Sequence, residues 1–148
     1  MRGHSAPEAA LTAELKRFLE ARGWRAVRNE SGFVPGAGSI GEKGMADWQF
    51  VRYLETPGLA LVVWIETKPP GYKPRCNCKP GEVNPKTGRR GKGHECRSCG
   101  QKRWAEAERK RGALVIQVDD VEALEAWYRK VFHWLPEPVQ AGQQKLFA

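Results

Sequence analysis

Seven consecutive apolar residues, Leu59 to Ile65 (LALVVWI), constrain the fold of this chain more than any other feature. A continuous run of this kind reads as a central strand buried on both faces. It starts after the turn residues Thr56-Pro57-Gly58 and stops abruptly at Glu66-Thr67-Lys68-Pro69-Pro70.

The flanking segments supply its neighbours. Leu11, Leu15, Phe18, Leu19 and Arg22 recur at helical spacing, Ser5-Ala6-Pro7-Glu8 reads as a capping box, and Gly23 is a stop. Trp24 to Arg28 alternates as a half-buried strand does, and Ala46 to Tyr53 reads as a second strand. The glycine-rich stretch between them, Gly32 to Gly44, is either a flexible loop or a place where backbone must approach a ligand closely. Further on, Gln101 to Arg111 is expected to be helical and Ala113 to Val118 a short strand. Asp119 or Asp120 then caps a last helix carrying Val121, Leu124, Trp127, Tyr128 and Val131. Of the six tryptophans, Trp24, Trp64, Trp127 and Trp134 fit the core or its edge, while Trp48 and Trp104 are open to either role. His4 and His133 read as surface or packing residues.

The expected order is α-β-β-β-α-β-α, an α/β layout with a central mixed four-stranded sheet flanked by helices. The 148 residues fit one domain over 1–135, with an insertion at about 71–100 and a loosely held tail over 136–148. No apolar run approaches the roughly 20 residues that a membrane helix needs. The first residues lack the apolar stretch of a secretory signal, so the expected setting is cytoplasmic.

Residues 71–100 contain all four cysteines and, apart from Val83, no aliphatic side chain. A segment this poor in apolar surface cannot pack a core and needs a staple. Cys76-x-Cys78 and Cys96-x-x-Cys99 form two short-spaced pairs, a pattern that fits a tetrahedral zinc site of four thiolates; free thiols or disulfides are the alternative. A closed shell of that kind makes such a zinc structural. The formal charge is +8, which favours polyanionic partners. This segment holds eight basic residues against Glu82 and Glu95, so six of the eight net charges lie in it. Lys73, Arg75, Arg89, Arg90 and Lys92, with Lys102 and Arg103 on the next helix, are the candidate DNA-binding residues; a solvated basic loop is the plainer reading.

The sharpest chemical feature is Glu66-Thr67-Lys68 with Asp47 upstream. Residues i and i+2 of a strand share a face, which puts Glu66 beside Lys68. Neighbouring strands lie about 5 Å apart, so a pairing of the two strands brings Asp47 to Glu66. Two carboxylates, with the Thr67 carbonyl as a further oxygen, suit a hard ion such as Mg²⁺ or Mn²⁺. Lys68 is then placed to orient or deprotonate a water, or to stabilise a developing oxyanion. An ordinary surface ion pair between Glu66 and Lys68 is the alternative.

The series Gly44-Met45-Ala46-Asp47, Trp64-Ile65-Glu66-Thr67-Lys68 and Gln101 at a helix start resembles the VRR-Nuc branch of the PD-(D/E)XK nucleases. Val27-Arg28-Asn29-Glu30-Ser31-Gly32 and Gly112-Ala113-Leu114-Val115-Ile116 are similar too, and the likeness spans roughly residues 7 to 132 outside the cysteine segment. The resemblance implies a restriction-endonuclease-like fold and metal-dependent hydrolysis of DNA, often by dimers on branched or flapped substrates. It implies that Asp47, Glu66 and Lys68 are catalytic, that Gln101 supports them, and that Arg28 and Asn29 join the DNA-binding set. Glu8 matches an acidic position that completes the metal site, against its competing role as a helix cap. Ala46 departs from the family's usual proline, and the cysteine insertion is absent from its simplest members. Two alternatives stand beside this reading: a zinc-stabilised nucleic-acid-binding module without turnover, and a sequence-specific restriction endonuclease.

Overall fold

The computed structural model describes residues 6–29, 32–36 and 38–136. The expected capping box at Ser5, His4, the pair Glu30-Ser31 and the tail after Pro136 lie outside the described residues. The elements are α1 (Ala6–Glu20), β1 (Arg25–Arg28), β2 (Gly32–Val34), β3 (Gly38–Ile40), β4 (Trp48–Tyr53), β5 (Ala60–Thr67), α2 (Arg97–Lys110), β6 (Leu114–Val118) and α3 (Val121–Val131).

Four strands form one sheet in the order β1-β4-β5-β6. β4 runs antiparallel to both β1 and β5, whereas β6 lies parallel to β5, so the sheet is mixed. The apolar run is the central strand, as its composition dictates, but burial on both faces begins only at its second half. Leu59 is 55% exposed and Ala60 is exposed, while Val63, Ile65, Glu66 and Thr67 are buried. The stretch expected to be a plain connection contains β2 and β3, which pair as a separate hairpin. Three-residue strands rich in glycine carry no readable alternation, which is why sequence pattern missed them.

Alternation along β5 divides the core. Val63 and Ile65 face Phe50, Leu15, Leu19, Trp24, Leu124 and Tyr128, the layer supplied by α1 and α3. Within it the Trp24 Nε1 donates to the Tyr128 hydroxyl at 3.0 Å, which satisfies a buried polar atom on each side. Trp64 points the other way, to Trp104 on α2, with ring centroids 5.2 Å apart. Trp48 and Trp104 are both buried and so belong to the core. Trp134, expected at the core edge, is 57% exposed instead. Asp120 caps α3 by accepting from the Glu122 and Ala123 N–H groups. Among the described residues no helix is long and apolar enough to cross a membrane.

α2 begins four residues earlier than its apolar pattern indicates, because Cys96 is its cap rather than part of a loop. The cap residue's sulfur accepts from the Cys99 N–H at 3.5 Å. The loop before β4 then closes on this helix start. Gly44 has φ +82, and a Cβ there would collide with the Gly100 carbonyl and lie 2.9 Å from the Gln101 nitrogen. The close approach is therefore of backbone to backbone. Gly44→Ala should cost at least about 2 kcal/mol through strain and collision together, read as a clear fall in midpoint on thermal unfolding.

Candidate metal and active site

Sheet register assembles the acidic cluster. Trp48 pairs with Ile65, so Asp47 continues the ladder opposite Glu66, on the face that α2 covers. The Asp47 N–H donates to Glu66 Oε2 at 3.2 Å. Thr67 is fully buried, and its hydroxyl lies 3.5 Å from Asp47 Oδ2. Asn29 holds this turn from β1: its N–H donates to the Asp47 carbonyl at 2.8 Å and its Nδ2 to the Ala46 carbonyl at 3.1 Å.

Lys68 is anchored by the parallel strand, its N–H donating to the Val118 carbonyl at 2.9 Å. Its ammonium is buried, as is the carboxylate it meets. Lys68 Nζ donates to Glu66 Oε1 at 2.7 Å and to Gln101 Oε1 at 2.8 Å, and Gln101 Nε2 donates back to Glu66 Oε1. The three side chains thus close a ring of hydrogen bonds. The Tyr72 ring, with its centroid 5.1 Å from the ammonium, covers it further.

Burial pushes the Glu66 carboxyl above the usual carboxylate range, and the negative charge of Asp47 adds to this; Lys68 and Arg97 oppose it. The centre is thus short of positive charge, and two carboxylates in this position fit a divalent ion. Glu8 sits on the first turn of α1, where Thr12 Oγ1 donates to its carbonyl. Among the described residues the four cysteines are the one group of three or more ligating side chains drawn together, so Glu8 is not gathered with Asp47 and Glu66.

The cysteine segment is an ordered hairpin rather than a bare loop. Lys79 and His94 exchange both backbone hydrogen bonds, at 2.8 and 2.7 Å, and Val83 pairs with Arg90. A Cβ at Gly81 would overlap the Gly91 carbonyl, so the two arms meet only where a side chain is missing. This ladder returns Cys96 to Cys78, whose sulfur accepts the Cys96 N–H at 3.2 Å. The sulfurs of Cys76, Cys78, Cys96 and Cys99 all lie within 4.8 Å of one another, and those of Cys76 and Cys99 are 3.6 Å apart. Tetrahedral zinc with its usual bond length sets sulfurs about 3.8 Å apart. The quartet is positioned to hold a metal ion and is compatible with structural zinc. The N–H groups of Cys99 and Asn77 hold the Cys96 thiol down to about 6. The sulfurs of Cys96, Cys76 and Cys78 push Cys99 up to about 12. One thiolate forms readily and opposes the next, an opposition that a dication removes.

The candidate DNA-binding residues divide by what already holds them. Lys73, Arg75, Arg89, Lys92 and Lys102 are exposed and make no ion pair among the described residues. Arg90 donates to the Gly81 carbonyl, and Arg103 is committed to Glu95. Arg28 lies 5.6 Å over the Trp48 ring, and Asn29 serves the backbone as described. Pattern reading did not single out Tyr72, or Arg97 as a neighbour of Glu66. Arg97 was legible only with α2 begun at its true start, where it stands one turn before Gln101.

No family model, curated protein or solved structure matches the chain.

The charge balance at the carboxylates has a measurable consequence. A carboxyl with a raised folded-state value stabilises the fold while protonated, and that contribution is lost as pH rises from the ordinary value through the raised one. At neutral pH without divalent ions, Glu66 is therefore a load that Asp47 increases. Asp47→Asn should raise the thermal unfolding midpoint in chelator and should reduce any further rise on adding Mg²⁺ or Mn²⁺. For the quartet, elemental analysis should find about one zinc per chain. Cys76→Ser combined with Cys99→Ser should lower that content and the thermal midpoint together.

Proposed function

We propose that the chain is a nuclease that hydrolyses phosphodiester bonds in DNA with Mg²⁺ or Mn²⁺, on a restriction-endonuclease-like fold. The observation that carries the reading is the buried ammonium of Lys68 tethered between Glu66 and Gln101, with Asp47 alongside. A surface ion pair does not explain it. Both charges are buried, and a buried pair contributes little net stability.

Asp47 and Glu66 would hold the divalent ion, with the Thr67 carbonyl as a further candidate ligand. When bound, it activates water for attack and neutralises charge on the phosphodiester. Gln101 fixes the Lys68 ammonium beside the carboxylates, so the cation is preorganised where negative charge develops on oxygen. Asn29 and Thr67 set the position of Asp47. The cysteine quartet holds structural zinc in this reading. The VRR-Nuc resemblance supports the reading and points to branched or flapped DNA as the substrate class and to dimers as the acting form.

A second reading has an observation of its own. The cysteine segment carries six of the eight net positive charges, which suits a zinc-stabilised module that binds nucleic acid without turnover.

The two separate in one assay. Purified protein is incubated with junction, flap, single-stranded and duplex DNA in Mg²⁺ or Mn²⁺. Cutting is expected, and Asp47→Ala or Lys68→Ala should each reduce it by about 100-fold or more while binding persists. Binding without cutting selects the second reading, and cutting that survives both substitutions overturns the assignment.

A further inference from the structure

Arg97 occupies the first position of α2, between the cap Cys96 and Cys99. Both neighbours belong to the cysteine quartet, and the Cys99 N–H donating to Cys96 Sγ closes the turn that carries Arg97. Four residues later on the same helix comes Gln101, and positions i and i+4 share a face. Gln101 is bonded to both Glu66 and Lys68. Arg97 therefore stands one helical turn out from the ring that closes the carboxylate centre.

Its side chain is exposed and makes no hydrogen bond or ion pair among the described residues. Four other arginines are engaged, Arg90 on the Gly81 carbonyl, Arg103 on Glu95, Arg109 on the Val115 carbonyl and Arg111 on Glu108, whereas Arg75 and Arg89 are exposed like Arg97 but lie on the hairpin rather than on α2. A guanidinium without a partner, one helical turn from the residue that binds Glu66 and Lys68, has the chemistry of an oxyanion fork. Its planar donors match two phosphate oxygens at once.

We propose that Arg97 is a phosphate-binding residue of the carboxylate centre, gripping the nucleic-acid backbone next to the bond to be cut, with its position set by the cysteine quartet. The inference rests on the nuclease reading above and adds to it a substrate-contacting residue. It also assigns the hairpin a second task, since the quartet that closes it also sets the direction in which Arg97 extends.

The test compares wild type with Arg97→Met, Arg97→Lys and Arg111→Met. The last removes an exposed arginine that is already paired, away from the centre. Cleavage of the best DNA substrate is measured in Mg²⁺ or Mn²⁺, and DNA affinity is measured against salt in Ca²⁺. Zinc content and the unfolding midpoint establish that each variant is folded. Arg97→Met should lower kcat/KM by about 10- to 100-fold and reduce the salt slope of binding by about one, with zinc and midpoint unchanged. Arg97→Lys should restore the salt slope but only part of kcat/KM, because an ammonium keeps the charge and loses the fork. Arg111→Met should match wild type. Wild-type kinetics and slope in a folded Arg97→Met protein overturn the proposal while leaving the nuclease reading intact. A wild type that binds DNA without cutting overturns the nuclease reading, and the salt slope alone then decides Arg97. No binding by the wild type overturns both.

Discussion

A buried ammonium has to be given partners, and much of the structure around Lys68 serves that need. The charge cannot leave for solvent, because the parallel pairing of β5 with β6 fixes its backbone and Tyr72 lies over its tip. Glu66 supplies the opposite charge and Gln101 completes the donors and acceptors. Removing either would leave a buried group unsatisfied, the costly side of the hydrogen-bond balance. That requirement ties β5 to α2, and α2 in turn needs Gly44 to let the loop before β4 come near.

The cysteine quartet is built on the opposite logic. Here there is almost no burial: only Cys96 of the four cysteines is buried, and the hairpin's one large apolar side chain, Val83, is half exposed. Backbone ladder bonds and a tight turn at Asn84 shape it, but nothing apolar holds its two ends together. Its cohesion has to come from the sulfurs. The two sites meet on one helix, Cys96 and Cys99 at its start and Gln101 just beyond.

Much of this was legible in the sequence where a single rule governs. The apolar run identified β5, period-two spacing put Glu66 with Lys68, and paired cysteine spacings identified the quartet. What escaped was set by competition between rules. Cys96 reads as a metal ligand, and that pattern masks its second role as a helix cap, so the apolar spacing starts α2 only at Gln101 and puts Arg97 in the preceding loop. Gly-rich stretches of three residues have no period to detect, so β2 and β3 were unseen. Trp48 and Trp104 are buried because each finds an apolar layer that the strand pattern alone does not reveal. The resemblance puts Asn29 in the DNA-binding set, and its use as a backbone clamp depends on a turn remote in sequence.

The parallel pairing of β5 and β6 has a consequence for how the chain reaches its fold. Parallel strands cannot be joined by a tight turn, and here the connection runs through the whole hairpin and α2 before Leu114 reaches Val63. Closing so long a loop is entropically slow, and contacts distant in sequence form late. A cation held by the four sulfurs would pinch out residues 76–99 and roughly halve the span that must be closed. The gain in closure free energy from such a cross-link is small, about 0.6 kcal/mol for a halving.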